Sequence, residues 1–90
     1  MMKTRTIEEL HDKHYGHRKF AKVCDLLIAD GHEISNIKEY YVKFTFELDG
    51  YFMTYDKEWK ISAKKITKYI LDTLAISKVL RNYQNQKGEN

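Results

Sequence analysis

An α+β domain, in which an N-terminal helix and a long C-terminal helix pack on a central antiparallel β-hairpin, is predicted by three features of these 90 residues. Between Glu39 and Trp59 the stretch EYYVKFTFELDGYFMTYDKEW alternates apolar and polar residues on either side of an Asp-Gly pair. Ahead of it, Phe20, Val23, Cys24, Leu27 and Ile28 recur at i, i+3, i+4, i+7 and i+8, the stripe of an amphipathic helix. Behind it, Ile66, Tyr69, Ile70 and Leu74 repeat the helical spacing. Elements with one apolar face must bury it, and the economical solution sets both helices on one face of a small sheet.

Taken in chain order, Thr6-Ile7-Glu8-Glu9 is a capping box: the Thr side chain accepts the Glu9 amide while the Glu9 carboxylate reaches back. A helix therefore starts near Ile7. Positions 7, 10, 14, 17, 21, 24 and 28 keep one helical seam through Gly16, but His14 and His17 make it polar midway. Glycine inside a helix costs about 0.8–1 kcal/mol, so a break near Gly16 or one bent helix is expected. Gly31 stands where a helix wants a left-handed residue after its end. In His32–Lys38, Ile34 and Ile37 do not alternate, which leaves a short third strand as an option.

The hairpin is the most specific reading. Asp49-Gly50 suits a type I′ turn, whose two central residues both need positive φ. That turn fixes the register: Leu48 opposite Tyr51, Phe46 opposite Met53, Phe44 opposite Tyr55, Thr45 opposite Thr54 and Lys43 opposite Asp56. Each such pair contributes roughly 0.2–1 kcal/mol, and a slip of one residue would undo them all. Phe52 is the exception, facing Glu47 on the polar side with Tyr41. Either another segment covers it or it belongs to a contact surface with Tyr41 and Tyr51, since aromatic side chains anchor interfaces. After the hairpin, Ser62 is the expected N-cap of a helix running to about Tyr83. Its apolar stripe is Ile66, Tyr69, Ile70, Leu74, Ile76 or Ser77, Leu80 and Tyr83, and residues 82–90 form a loose tail of the single domain 1–90.

Composition narrows the class. Forty-two per cent hydrophobic residues, twelve of all residues aromatic, are enough for a core. Apolar runs are too short to span a bilayer, so no membrane association is expected. The lone Cys24 gives no disulfide framework, which suits a reducing, cytoplasmic setting. The net charge of +3 is segregated: residues 1–24 carry +3, residues 25–58 carry −5 and residues 59–90 carry +5. Such asymmetry suits an anionic partner, or self-complementary packing of charged faces.

Chemistry-bearing constellations are few. His11, His14 and His17 cannot share one ion on a straight helix, because the first and last lie about 240° apart, and His32 is distant. Neither a metal nor another cofactor is expected. Cys24 sits inside an apolar stripe as a small core hydrophobe, and no Gly-rich phosphate loop is present. The anomaly is at the last helix: Lys60, Lys64, Lys65 and Lys68 crowd its start, where the dipole disfavours cations by roughly 0.3–1 kcal/mol each. Free amides and ammoniums converging there make an anion site, with Arg18, Lys19 and Lys22 adjoining. The alternative is a solvated, salt-screened surface.

Lys64-Lys65-Ile66-Thr67-Lys68 at the start of the last helix, together with the order helix, strands, helix over roughly residues 17–80, is similar to the double-stranded-RNA-binding domain. The resemblance implies that these lysines contact phosphates across the major groove. The family's Gly-Pro loop has no counterpart, Tyr69-Ile70-Leu71 replaces its run of small residues, and a clear third strand is lacking. The expected function is a small non-enzymatic binding module that engages a nucleic acid or a nucleic-acid-bound protein through the basic helix start. The alternative is an inhibitor or adaptor of the compact kind phages encode, docking on a host protein through Phe52, Tyr41 and Tyr51. A small His-dependent nuclease is a third class.

Overall fold

A computed structural model describes residues 2–12 and 17–88. The elements are β1 (Lys3–Thr4), α1 (Ile7–His11), α2 (Arg18–Ala29), β2 (Ile34–Glu39), β3 (Lys43–Leu48), β4 (Tyr51–Asp56) and α3 (Ala63–Gly88). The sheet is antiparallel with order β1-β2-β3-β4. The expected α+β class holds, with four strands around the hairpin.

Every hairpin pair expected from the sequence is present, including Glu47 opposite Phe52. Asp49 and Gly50 have φ of 52° and 84°, the doubly positive turn that brings β3 and β4 together. The capping box on α1 is complete. α1 ends at an extended Asp12 and α2 begins at Arg18, so the seam between residues 7 and 28 is carried by two helices. His14 and Gly16 lie outside the described residues. Gly31, at φ 92°, closes α2: its amide bonds to Ile28 O at 3.0 Å and the His32 amide to Leu27 O at 3.1 Å, the paired bonds of a Schellman end.

β2 is a full strand, and its irregular pattern has a cause. Ile34 pairs with Leu48 and Ser35 with Glu47, but Lys38 pairs with Thr45 and Glu39 with Phe44, so one extra residue lies between. Asn36 sits there at φ 51°, its amide bonded to the Glu47 carboxylate. This bulge resets the alternation, so that Ile34 and Ile37 join the sheet's inner side, and Glu39 follows them there.

The core lies between that side of the sheet and the helices. Phe20 of α2 stacks against Phe44, Phe46 and Tyr55 at 4.5–5.5 Å. Leu10, Val23, Cys24, Leu27, Ile66 and Ile70 close around them. α3 differs from expectation in two ways. Only Ile66, Ile70 and Leu74 of its long stripe are buried; Tyr69, Ile76, Leu80 and Tyr83 are exposed on another side. Its backbone also stays helical through Asn82–Gly88, where a loose tail was expected. Nothing between Ala63 and Gln86 breaks a helix, and propagation from a formed turn is favourable.

Candidate functional site

The start of α3 is built by its cap and by a clamp from α2. Ser62 Oγ accepts the Lys65 amide at 3.3 Å, and Ser62 O accepts the Ile66 amide at 3.0 Å. Lys19 Nζ donates to the carbonyls of Trp59 and of Ile61, the latter at 3.0 Å. Lys19 thus fixes the approach to α3, and it also brings the first turn of α2, with exposed Arg18 and Lys22, beside that approach. Ala63, Ile66 and Thr67 face inward, so the helical period turns Lys64, Lys65 and Lys68 outward. These three and Lys60 are exposed, and none makes an ion pair among the described residues. No acidic residue stands in the first turn of α3. Four ammoniums at the positive end of the helix dipole therefore present a basic surface.

The three aromatic candidates do not form one patch. Phe52 is exposed on the outer side of the edge strand β4 and lines a groove of about 400 Å³ with Thr54, Trp59, Tyr69 and Thr73. Tyr51 belongs to the opposite side, packed on the core with the Arg81 guanidinium 4.0 Å from its ring centre. Tyr41 projects from the β2–β3 turn, beyond Lys43, which is itself roughly 14 Å along the sheet from the Phe52 row at 3.4 Å per residue.

Two polar clusters carry no warning in the sequence. Glu39 accepts from Arg5 Nε and from Lys57 Nζ, each at 2.7 Å, and its Oε2 lies 3.0 Å from His17 Nε2. Burial alone would push this carboxyl up, but the bonds from Lys57 and Arg5 and the charge of His17 hold it down at about 2. Burial pushes His17 down, against the pull of Glu39. Beside this group, Lys19, Phe20, Phe44 and Tyr55 help line a cleft of about 260 Å³. The second cluster joins the end of α2 to the hairpin turn: His32 Nδ1 lies 2.7 Å from Asp49 Oδ2, and Asp49 Oδ1 accepts the Glu33 amide at 2.8 Å. The bond from His32, and then that from Glu33, holds Asp49 below the usual carboxylate range.

His11 sits 2.8 Å from Asp25. Among the described residues no three His, Cys, Asp or Glu side chains converge as ligands for a metal ion. Burial, with the Asp25 charge adding to it, pushes the Cys24 thiol up to about 12, so it stays protonated near neutral pH. No helix is long and apolar enough to cross a membrane among the described residues. No family model, curated protein or solved structure matches this chain.

Proposed function

We propose that this chain is a small non-enzymatic binding module that holds a nucleic acid, or a nucleic-acid-bound protein, on the basic start of α3. The observation that carries the reading is the set Lys60, Lys64, Lys65 and Lys68: exposed, free of carboxylate partners among the described residues, and placed where the helix field opposes them. Residues held against local preference are more often functional than average. Arg18 and Lys22 extend the surface from α2, while Lys19 serves as the clamp that positions it. α2, β2–β4 and α3 follow the order helix, strands, helix on which the resemblance to the double-stranded-RNA-binding domain rests, without that family's Gly-Pro loop.

The test is titration with duplex RNA and duplex DNA across a range of salt. Log affinity is expected to fall linearly with log salt, at about 0.9 per phosphate neutralised on B-form DNA. Replacing Lys64 and Lys65 by Glu should abolish binding while leaving the fold intact or slightly more stable, because acidic residues suit a helix start. A variant that is stabilised and binds as wild type would reduce the lysines to solvated surface. A second reading, docking of a host protein, draws on the exposure of Phe52 beside Tyr69. It calls for an affinity nearly independent of salt. For the nuclease class the same duplexes serve as substrates, with His17→Ala as the variant that should lose cleavage.

A further inference from the structure

The second half of α3 has an apolar surface that the fold leaves uncovered. Tyr69, Ile76, Val79 and Leu80, with Phe52 of β4, are each between 55 and 70% exposed. From Ala75 to Gln84 only Ser77 is even partly covered. The inward residues Ile66, Ile70 and Leu74 are spaced by four. Tyr69, Thr73, Ile76 and Leu80 are spaced by four, three and four, the 3.5-residue repeat of helices that pair along a seam. At 3.6 residues per turn this seam lies roughly 90° around α3 from the buried stripe. The groove against Phe52 continues it at its N-terminal end.

We propose that this seam is an interface with a second copy of the chain, the two α3 helices lying antiparallel with Ile76 of each near Leu80 of the other. Charge selects a second copy over an acidic or basic partner. Between Tyr69 and Gln84 the charged residues are Asp72, Lys78 and Arg81. Arg81 lies over the Tyr51 ring and the charge of Lys78 acts on Asp49, so both cations are turned toward the hairpin. Among the described side chains from Tyr69 to Gln84, Asp72 is then the one charge beside the seam, and Ser77 and Val79 flank its centre. A strongly charged partner finds no complement there, and a second copy meets no opposing row of like charge.

Direction follows from the same electrostatics. Parallel helices would set the two groups Lys60–Lys68 side by side. Antiparallel helices crossing near Lys78 carry them to opposite ends, roughly 40 Å apart at 1.5 Å per residue. The area suits a weak, concentration-dependent pair: Phe52, Tyr69, Ile76 and Leu80 expose roughly 100 Å² each, about 800 Å² for two copies, below the roughly 1,200 Å² at which standard interfaces begin.

Sedimentation velocity on the full chain, from low micromolar to several hundred micromolar, tests this. Wild type is expected to approach twice its single-chain mass of 10.8 kDa. Leu80→Glu should weaken association by about a hundredfold or more, because a buried unpaired carboxylate opposes the seam, while the helical circular dichroism persists. Leu80→Gln, a milder change, should shift the equilibrium in the same direction. Ala75→Glu, exposed and roughly 130° from the seam, should remain dimeric. Wild type at single-chain mass throughout would overturn the proposal and assign the surface to a different partner. A folded Leu80→Glu or Leu80→Gln chain that dimerises as wild type, or a folded Ala75→Glu chain that does not dimerise, would also overturn it.

Discussion

Glu39→Gln perturbs the point where β1, β2, the start of α2 and the exit from β4 meet. The substitution keeps the side chain's shape and removes the charge on which Arg5, Lys57 and His17 converge, in a carboxylate only 15% exposed. A carboxyl held at about 2 instead of 4.5 corresponds to roughly 3 kcal/mol of stability at neutral pH, at 1.36 kcal/mol per pH unit. Removing one partner of a buried ion pair leads to a similar figure, about 3–5 kcal/mol. Because the folded-state value is depressed, the contribution is fully present above pH 4.5 and is lost as pH falls toward 2. Urea unfolding at pH 7 should show the midpoint of the Gln variant lowered by about 1–3 M, with unchanged slope. Its stability should also fall less steeply than wild type between pH 4.5 and 2. Equal stability at pH 7, or an undiminished acid slope in the variant, would show that Arg5, Lys57 and His17 do not depend on the Glu39 charge.

Two further outcomes test the sheet. Lys43→Asp should destabilise by a few tenths of a kcal/mol, because it sets a second carboxylate opposite Asp56 and removes the ammonium 5.5 Å from the Tyr40 ring, and adding Asp56→Lys should restore part of it; a double-mutant cycle in chemical denaturation with no coupling would show that the two side chains do not interact across the strands. Asn36→Val should lower stability by about 1–2 kcal/mol, since a β-branched residue resists φ of 51°, whereas Asn36→Gly should stay near wild type. Equal melting temperatures for the two would mean that the bulge relaxes freely.

How far the sequence could be read depended on the range of the interactions involved. The β3–β4 pairing was legible in full because a two-residue turn ties every pair to its neighbour. The C-terminal end of α2 at Gly31 and the caps at Thr6 and Ser62 were legible because each is settled within a few residues, whereas at the start of α2 the sequence allows either a break or a bend. β2 was only half legible: the residue inserted at Asn36 reverses the alternation, which mimics the absence of a strand. For the same reason Glu39 could not be placed on the inner side, and its partners Arg5 and His17 lie far away in the chain. Periodicity also ran two faces of α3 together, since buried Ile70 and exposed Tyr69 both satisfy a loose helical stripe. The lysines at the start of α3 were visible, whereas the commitment of Lys19 to two backbone carbonyls was not.

Trp59 gives this molecule an internal optical probe. It is the only tryptophan, and its indole meets Tyr55 of β4 edge-on at 5.3 Å and Tyr69 of α3 at 5.6 Å. Its emission therefore reports whether α3 is seated on the sheet, while far-ultraviolet ellipticity is dominated by whether α3 is helical at all. The exposed half of α3 beyond Leu74 contributes to the second signal and is silent in the first. Unwinding from the C-terminal end would then lower ellipticity before fluorescence changes. A chain that loses both signals together melts α3 and the sheet as one cooperative unit.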